Sequence, residues 1–333
     1  MINMIYLNFI LFLIISFIVM KITFKILNKF DVKDRDIVLN LKRKSDPITA
    51  LGISFLFIFF FNFFYLYFTF DFKDLLPNRF YIFFISIFFL TIISFRDDIK
   101  EIDPKVRLIF QLVFIYFSLT NIELQSLDLP LKLMMFFALI VWVYLINITN
   151  FIDGSDGHCS LHVLFFMIGI IFISYLQKEI YYSTILAFVT FPTLIIFIVF
   201  FNKPVAKSFM GDSGSIFLGY IVGYIILENI FLQKNFYIIV LFLYPIFDCT
   251  FTLIKKTIKG YYPWAKLGDY FFLMPIKNGN NHRKVFFITI FYNISNLSFF
   301  FIQNYYSRIF LICNIILSIF LIFYFNSFKK NER

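Results

Sequence analysis

Leu131-Lys132-Leu133-Met134-Met135-Phe136-Phe137-Ala138-Leu139-Ile140-Val141-Trp142-Val143-Tyr144-Leu145-Ile146 passes without a break into Asn147-Ile148-Thr149-Asn150-Phe151-Ile152-Asp153-Gly154-Ser155-Asp156-Gly157. The first half carries a single charge, Lys132, and neither Gly nor Pro. It reads as a membrane-spanning helix, which needs about 20 apolar residues and can borrow the last turn from its polar flank. The second half holds two amides, two carboxylates and two glycines. Carboxylates at a membrane edge are costly to desolvate, so this half reads as a substrate or ion site at the end of the span.

Working outward, the apolar signal recurs in Ile2–Met20, Ile48–Phe70, Phe80–Phe95, Val106–Thr120, Leu161–Leu176, Tyr182–Phe201, Ser215–Leu232, Phe236–Ile254, Val285–Ile302 and Ile309–Phe328. With Leu131–Ile146 these make eleven segments and predict an all-α, polytopic integral membrane bundle, one transmembrane domain over residues 1–333. Composition agrees: 61% of the 333 residues are hydrophobic and 15% charged, a balance no ordinary soluble domain shows. Ile2–Met20 has no basic segment before it and no small-residue cleavage site, so it reads as a retained first helix. The 55 Phe residues are assigned to packing and lipid contact. Cys159, Cys249 and Cys313 lack metal-site spacing and read as free thiols.

The net charge of +10 bears on orientation rather than on nucleic acid, for which no module is present. With the loop after the first helix placed on the cytoplasmic side and alternation from there, the inner segments are Lys21–Pro47, Arg96–Arg107, Asn147–Ser160, Asn202–Gly214, Lys255–Lys284 and the tail Lys329–Arg333. They hold 24 of the 30 Lys and Arg residues, which predicts an external N-terminus and a cytoplasmic C-terminus. The external connections are too short to form a receptor domain.

The same alternation collects the unusual polar chemistry on the inner face. Phe95-Arg96-Asp97-Asp98-Ile99-Lys100-Glu101 follows the third span, and Phe209-Met210-Gly211-Asp212-Ser213-Gly214-Ser215 opens the eighth. Neighbours such as Asp97 and Asp98 point in different directions, so one can serve a metal and the other a proton or substrate. Carboxylate and amide oxygens suit a hard cation such as Mg²⁺, which takes one or two carboxylates plus substrate phosphates. The N–H groups at Gly211–Gly214 are candidates to face phosphate oxygens. Each cluster also has a plain reading, the first as a solvated helix cap and the second as a turn. Asp248, inside the ninth span, is a functional or paired intramembrane carboxylate. Tyr261, Tyr262, Pro263, Trp264, Tyr270, Phe271 and Phe272 form an aromatic inner segment, an interfacial or re-entrant piece that ends at His282-Arg283.

These motifs together resemble the polyprenyl-phosphate N-acetylhexosamine-1-phosphate transferases, relatives of the phospho-MurNAc-pentapeptide translocase. Asp97-Asp98 with Ile102, Arg107-Leu108 and Gln111 is similar to the family's paired-aspartate motif. Asn147–Gly157 is similar to its Asn-x-x-Asn-x-x-Asp-Gly-x-Asp-Gly motif, and Phe209–Ser215 with Leu218-Gly219 to its Phe-Met-Gly-Asp-x-Gly-Ser motif. Pro245 and Asp248 with Lys255-Lys256 resemble a fourth. The early Pro-x-x-x-Gly-Gly segment is reduced to Pro47–Ile53, with Lys44 in place of a basic His. The late histidine-rich loop is reduced to His282-Arg283, closer to members that take UDP-N-acetyl sugars other than the muramoyl pentapeptide.

The resemblance implies transfer of a sugar-1-phosphate from a UDP-N-acetyl sugar to undecaprenyl phosphate, with release of UMP. Such a step starts a cell-envelope polysaccharide at the cytoplasmic face of a bacterial inner membrane. It implies Mg²⁺, or Mn²⁺, held by Asp212 with Asp153 and Asp156. Asp97, Asp98 and Asp212 would be catalytic, and Asn147, Asn150, Asp153, Asp156, His282 and Arg283 would bind substrate. Direct attack and an aspartyl-phosphate intermediate both stay open, and a homodimer is compatible. Two rivals are a Mg²⁺-dependent intramembrane prenyltransferase, which leaves Gly211–Gly214 unexplained, and a cation-coupled transporter, for which only Asp248 lies near mid-membrane.

Overall fold

Ser215, Gly219 and Gly223 recur at four-residue steps and so share one stripe of a helix. Small residues in such a stripe let two membrane helices approach backbone to backbone. In the computed structural model, which describes residues 2–34, 46–70, 76, 79–122, 130–262, 268–306 and 308–328, this stripe sets the centre of an all-α bundle. Lys44, Pro263, Trp264 and the basic tail lie outside the described residues.

The helices are α1 (Ile2–Lys29), α2 (Ile53–Thr69), α3 (Phe80–Ile99), α4 (Pro104–Ser118), α5 (Leu131–Phe151), α6 (His158–Gln177), α7 (Tyr182–Phe197), α8 (Gly211–Phe231), α9 (Leu243–Ile258), α10 (Met274–Lys277), α11 (His282–Tyr306) and α12 (Arg308–Asn326). Each of the eleven apolar runs contains a helix; the second is helical only from Ile53, and the ninth enters α9 through a 3₁₀ stretch, Phe236–Phe242. Among the described residues nine segments are long and apolar enough to cross a membrane; α2 is shorter, at 17 residues, and α4 has 15. Exposed Ile10, Ile14, Ile18, Ile22 and Ile26 form a lipid-type stripe along α1, while Phe12, Ser16 and Met20 turn inward.

α8 is buried from Ser213 to Phe231, and its main neighbours are α5 and α3. A Cβ at Gly219 would lie 2.7 Å from the Ile146 Cα, and one at Gly223 would lie 2.2 Å from Trp142 Cδ1. The Trp142 indole donates to the Tyr220 carbonyl at 2.9 Å. α5 and α8 therefore run in opposite directions, pairing Trp142 with Gly223, Ile146 with Gly219 and, one further turn on, Asn150 with Ser215. The register of small residues thus carries the polar end of α5 to the start of α8. On the α3 side, Phe83 packs on Tyr220 and Tyr224, with ring centroids 4.9 and 5.0 Å apart.

Two further devices shape the site end. α3 and α4 are joined by a short link; the Asp103 carboxylate accepts from Lys105 N at 2.7 Å, and Pro104 opens α4. The last turn of α7 widens into a π-turn, Ile198–Asn202, and delivers a buried amide, Asn202, to the loop that opens α6.

Candidate active site

Asp97 and Asp98 close α3 and separate there. Asp97 Oδ1 accepts from Ile102 N at 2.5 Å, and Oδ2 pairs with Arg107 Nη1 at 2.5 Å. Asp98 turns to α8, where its two oxygens accept from Asp212 N at 2.6 Å and Ser213 N at 3.1 Å. These N–H groups are the open donors of a helix start, and the Asp98 oxygens cap them. Gly211 has φ +69°, and a Cβ on it would meet Asp98 Oδ1 at 2.5 Å. Asp98 thus occupies the N–H groups of Asp212 and Ser213. The sequence reading that offered them to phosphate is corrected on this point.

Asp212, on the first turn of α8, is the hub. One oxygen accepts from Asn150 Nδ2 at 2.8 Å, and the other pairs with Arg107 Nη1. Asn150 also donates to Ser215 Oγ at 2.9 Å. Asn147, one turn earlier on α5, donates to Gln111 Oε1 at 2.8 Å and so ties α5 to α4. Asp153 is partly buried beside this group. Burial, then the nearby charges of Asp212, Asp34 and Asp156, hold its carboxyl well above the usual aspartate range.

Asp156 does not join the carboxylate hub. It is buried and faces a second group, with Oδ2 accepting from Ala206 N at 3.1 Å and Oδ1 3.8 Å from His282 Nδ1. His282 also meets Ser155 Oγ at 3.1 Å. Asn202 braces this loop by accepting from Gly157 N at 2.9 Å and donating to the Ser208 carbonyl at 3.0 Å. Gly157 has φ +70°, and a Cβ there would strike the Phe286 ring. Arg283 is exposed and lies 5.6 Å from the Phe287 ring.

The reduced early motif reaches the site through its backbone. Ile48 and Leu51 donate to Lys207 O and Phe209 O, and Gly52 N to Met210 O at 2.9 Å. A Cβ at Gly52 would fall 2.1 Å from the Gly214 Cα. Asp248 has the paired role: Tyr244 OH, Thr252 Oγ1 and the N–H groups of Phe271 and Phe272 all donate to it. It anchors the aromatic inner segment inside the bundle.

Residues 80–229 match the family model described as glycosyl transferase family 4. This stretch is similar to the family 4 glycosyl transferases. The matched segment contains Asp97, Asp98, Arg107, Asn147, Asn150, Asp153, Asp156 and Asp212; His282 and Arg283 lie beyond it. The chain is similar to a probable undecaprenyl-phosphate N-acetylglucosaminyl 1-phosphate transferase of Bacillus subtilis, 29% identical over 189 residues, covering 52% of this chain and 51% of that protein. It is also similar to phospho-N-acetylmuramoyl-pentapeptide-transferases of Streptococcus mutans, 26% identical over 205 residues (56% of this chain, 57% of the relative), and of Aliarcobacter butzleri, 28% over 185 residues (44% and 52%). The chain spans about half the length of these relatives.

The oxygen donors gathered at the hub are carboxylates, the chemistry a hard divalent cation takes. Among the described residues no three His, Cys, Asp or Glu side chains converge as a ready-made metal cage. Arg107 and Asn202 are the site residues that reading for acids alone overlooks. Arg107 stood in the paired-aspartate motif without a role, and Asn202 has no local signal beyond ending an apolar run.

Proposed function

We propose that this chain transfers a sugar-1-phosphate from a UDP-N-acetylhexosamine to undecaprenyl phosphate, releasing UMP, at the cytoplasmic face of a bacterial inner membrane. The observation that carries this reading is the hub itself: Asp97 and Asp212, from different helices of the matched segment, meet at Arg107 with Asn150 and Asp153 beside them. The two related activities named for the relatives both join a polyprenyl or muramoyl substrate to phosphate chemistry, and the balance of Lys and Arg supports the inner face.

Phosphoryl transfer is mainly positioning and charge neutralisation. An oxygen of the lipid phosphate attacks the β-phosphorus of the donor, the bond from that phosphorus to the bridging oxygen breaks, and UMP carries the electron pair away. Mg²⁺ or Mn²⁺, when bound, supplies Lewis-acid neutralisation of the diphosphate. Asp212 and Asp153 are the residues we assign to hold it. Asp97 orients the attacking lipid phosphate. What favours Asp97 over Asp98 is that both Asp98 oxygens are engaged with α8. Asn147 and Asn150 hold the nucleotide end, and Asp156 orients His282, which with Arg283 meets the donor's phosphate or sugar.

Membranes containing the protein, given labelled UDP-GlcNAc, undecaprenyl phosphate and Mg²⁺, should yield a labelled lipid and UMP. No lipid product from any UDP-N-acetyl sugar would sink the reading. Asp212→Asn should lower the rate by about 100-fold or more, the scale of losing a main electrostatic group in a transfer site, with the protein still folded.

A further inference from the structure

Arg107 contacts both Asp97 and Asp212 through a single terminal nitrogen, Nη1. The second oxygen of each carboxylate is already committed, Asp97 Oδ1 to Ile102 N and Asp212 Oδ1 to the Asn150 amide. The two Oδ2 atoms are therefore aimed at one point, and a positive group stands there. A cation held by Asp212 and Asp153 needs the Asp212 oxygen that faces this point, because the other is committed to Asn150. A guanidinium and a divalent ion cannot share it, because like charges at contact repel strongly. The Arg107 side chain is a quarter exposed and sits on the first turn of α4, so it has room to leave.

We propose that Arg107 is a resident counter-ion that the divalent cation displaces, so that cation affinity at this site is set by competition with this chain's own guanidinium. The proposal rests on the cation site assigned above. It accounts for two carboxylates held close by one nitrogen before any ligand arrives, and it makes Arg107 a positioning residue for the hub.

The test is Mn²⁺ binding to the purified full chain in detergent, followed by loss of the free-ion electron paramagnetic resonance signal, with no substrate present. Removal of the competitor in Arg107→Gln should tighten Mn²⁺ binding by about tenfold, the scale of one partly buried ion pair. Arg107→Lys keeps the charge on a compact head with fewer donors and should fall between Arg and Gln. It also serves if the Gln variant does not fold. Unchanged or weaker binding in both variants, with the wild type binding and Asp212→Asn not, overturns the proposal and leaves the transferase reading standing. Wild-type protein that takes up no Mn²⁺, or Asp212→Asn that binds as wild type, removes the cation site and the proposal with it.

Discussion

Adjacent aspartates do unlike work here because a helix end sends neighbouring side chains in different directions. Asp98 reaches the N–H groups that open α8, while Asp97 reaches Arg107. The Asp-Asp pair at the end of an apolar run was enough to make both candidate site residues. Their division was not, because it depends on where α8 starts in space, 114 residues away in sequence. Asp156 lies apart from Asp212 and Arg107 for a similar reason: α5 ends at Phe151, and the buried Ala206 N–H, 50 residues on, takes the Asp156 carboxylate. Asp153 carries a pH prediction. Its raised pKa means the folded state favours the protonated carboxyl. The associated cost is absent below the ordinary aspartate range of about 4 and is complete once the pH exceeds the raised value. Asp153→Asn should therefore melt above wild type at pH 8 in the presence of a chelator, and the gap should close toward pH 4. An equal gap at both pH values would refute this.

At the scale of elements, the small-residue stripe of α8 was visible as Leu218-Gly219 within a motif, but its partner was not. The helix that fills Gly219 and Gly223 is recognised only when Trp142 and Ile146 are seen across from them. Gly219→Leu would drive a branched side chain into the Ile146 backbone, an overpacking that costs about 1–3 kcal/mol or more. Because the same register sets Asn150 against Ser215 and Asp212, the variant should lose transfer activity in excess of its loss of folded protein. Separate assays of melting temperature and of activity per folded molecule check this, and parallel loss of the two would refute it. Asn202→Ala tests the π-turn. It should leave Gly157 N without its acceptor, at about 1–3 kcal/mol for a buried unmet donor. A melting temperature equal to wild type would contradict that brace.

For the whole molecule, hydropathy alone was enough for the helical class, since in lipid a span must satisfy its own backbone. The count was less legible. α2 and α4 are shorter than a full bilayer requires, and apolar length does not separate a span from a helix packed among spans. Orientation is open to direct measurement. A green fluorescent protein fused after Arg333 should fluoresce in intact bacterial cells, because the fusion folds on the cytoplasmic side; a dark but full-length fusion would reverse the assignment. The enclosure of α8 bears on how the chain is made. Of the nine long apolar spans it is the least apolar, and it alone is buried at every residue past its first two, from Ser213 to Phe231. A segment of that kind gains little from lipid as it leaves the ribosome, and the Ser, Gly and Asn groups along it gain from protein neighbours. Its insertion is thus a handover: α3 and α5, synthesised earlier, must already be in the bilayer to receive it, and the reactive end of the molecule is assembled only when that late guest is seated.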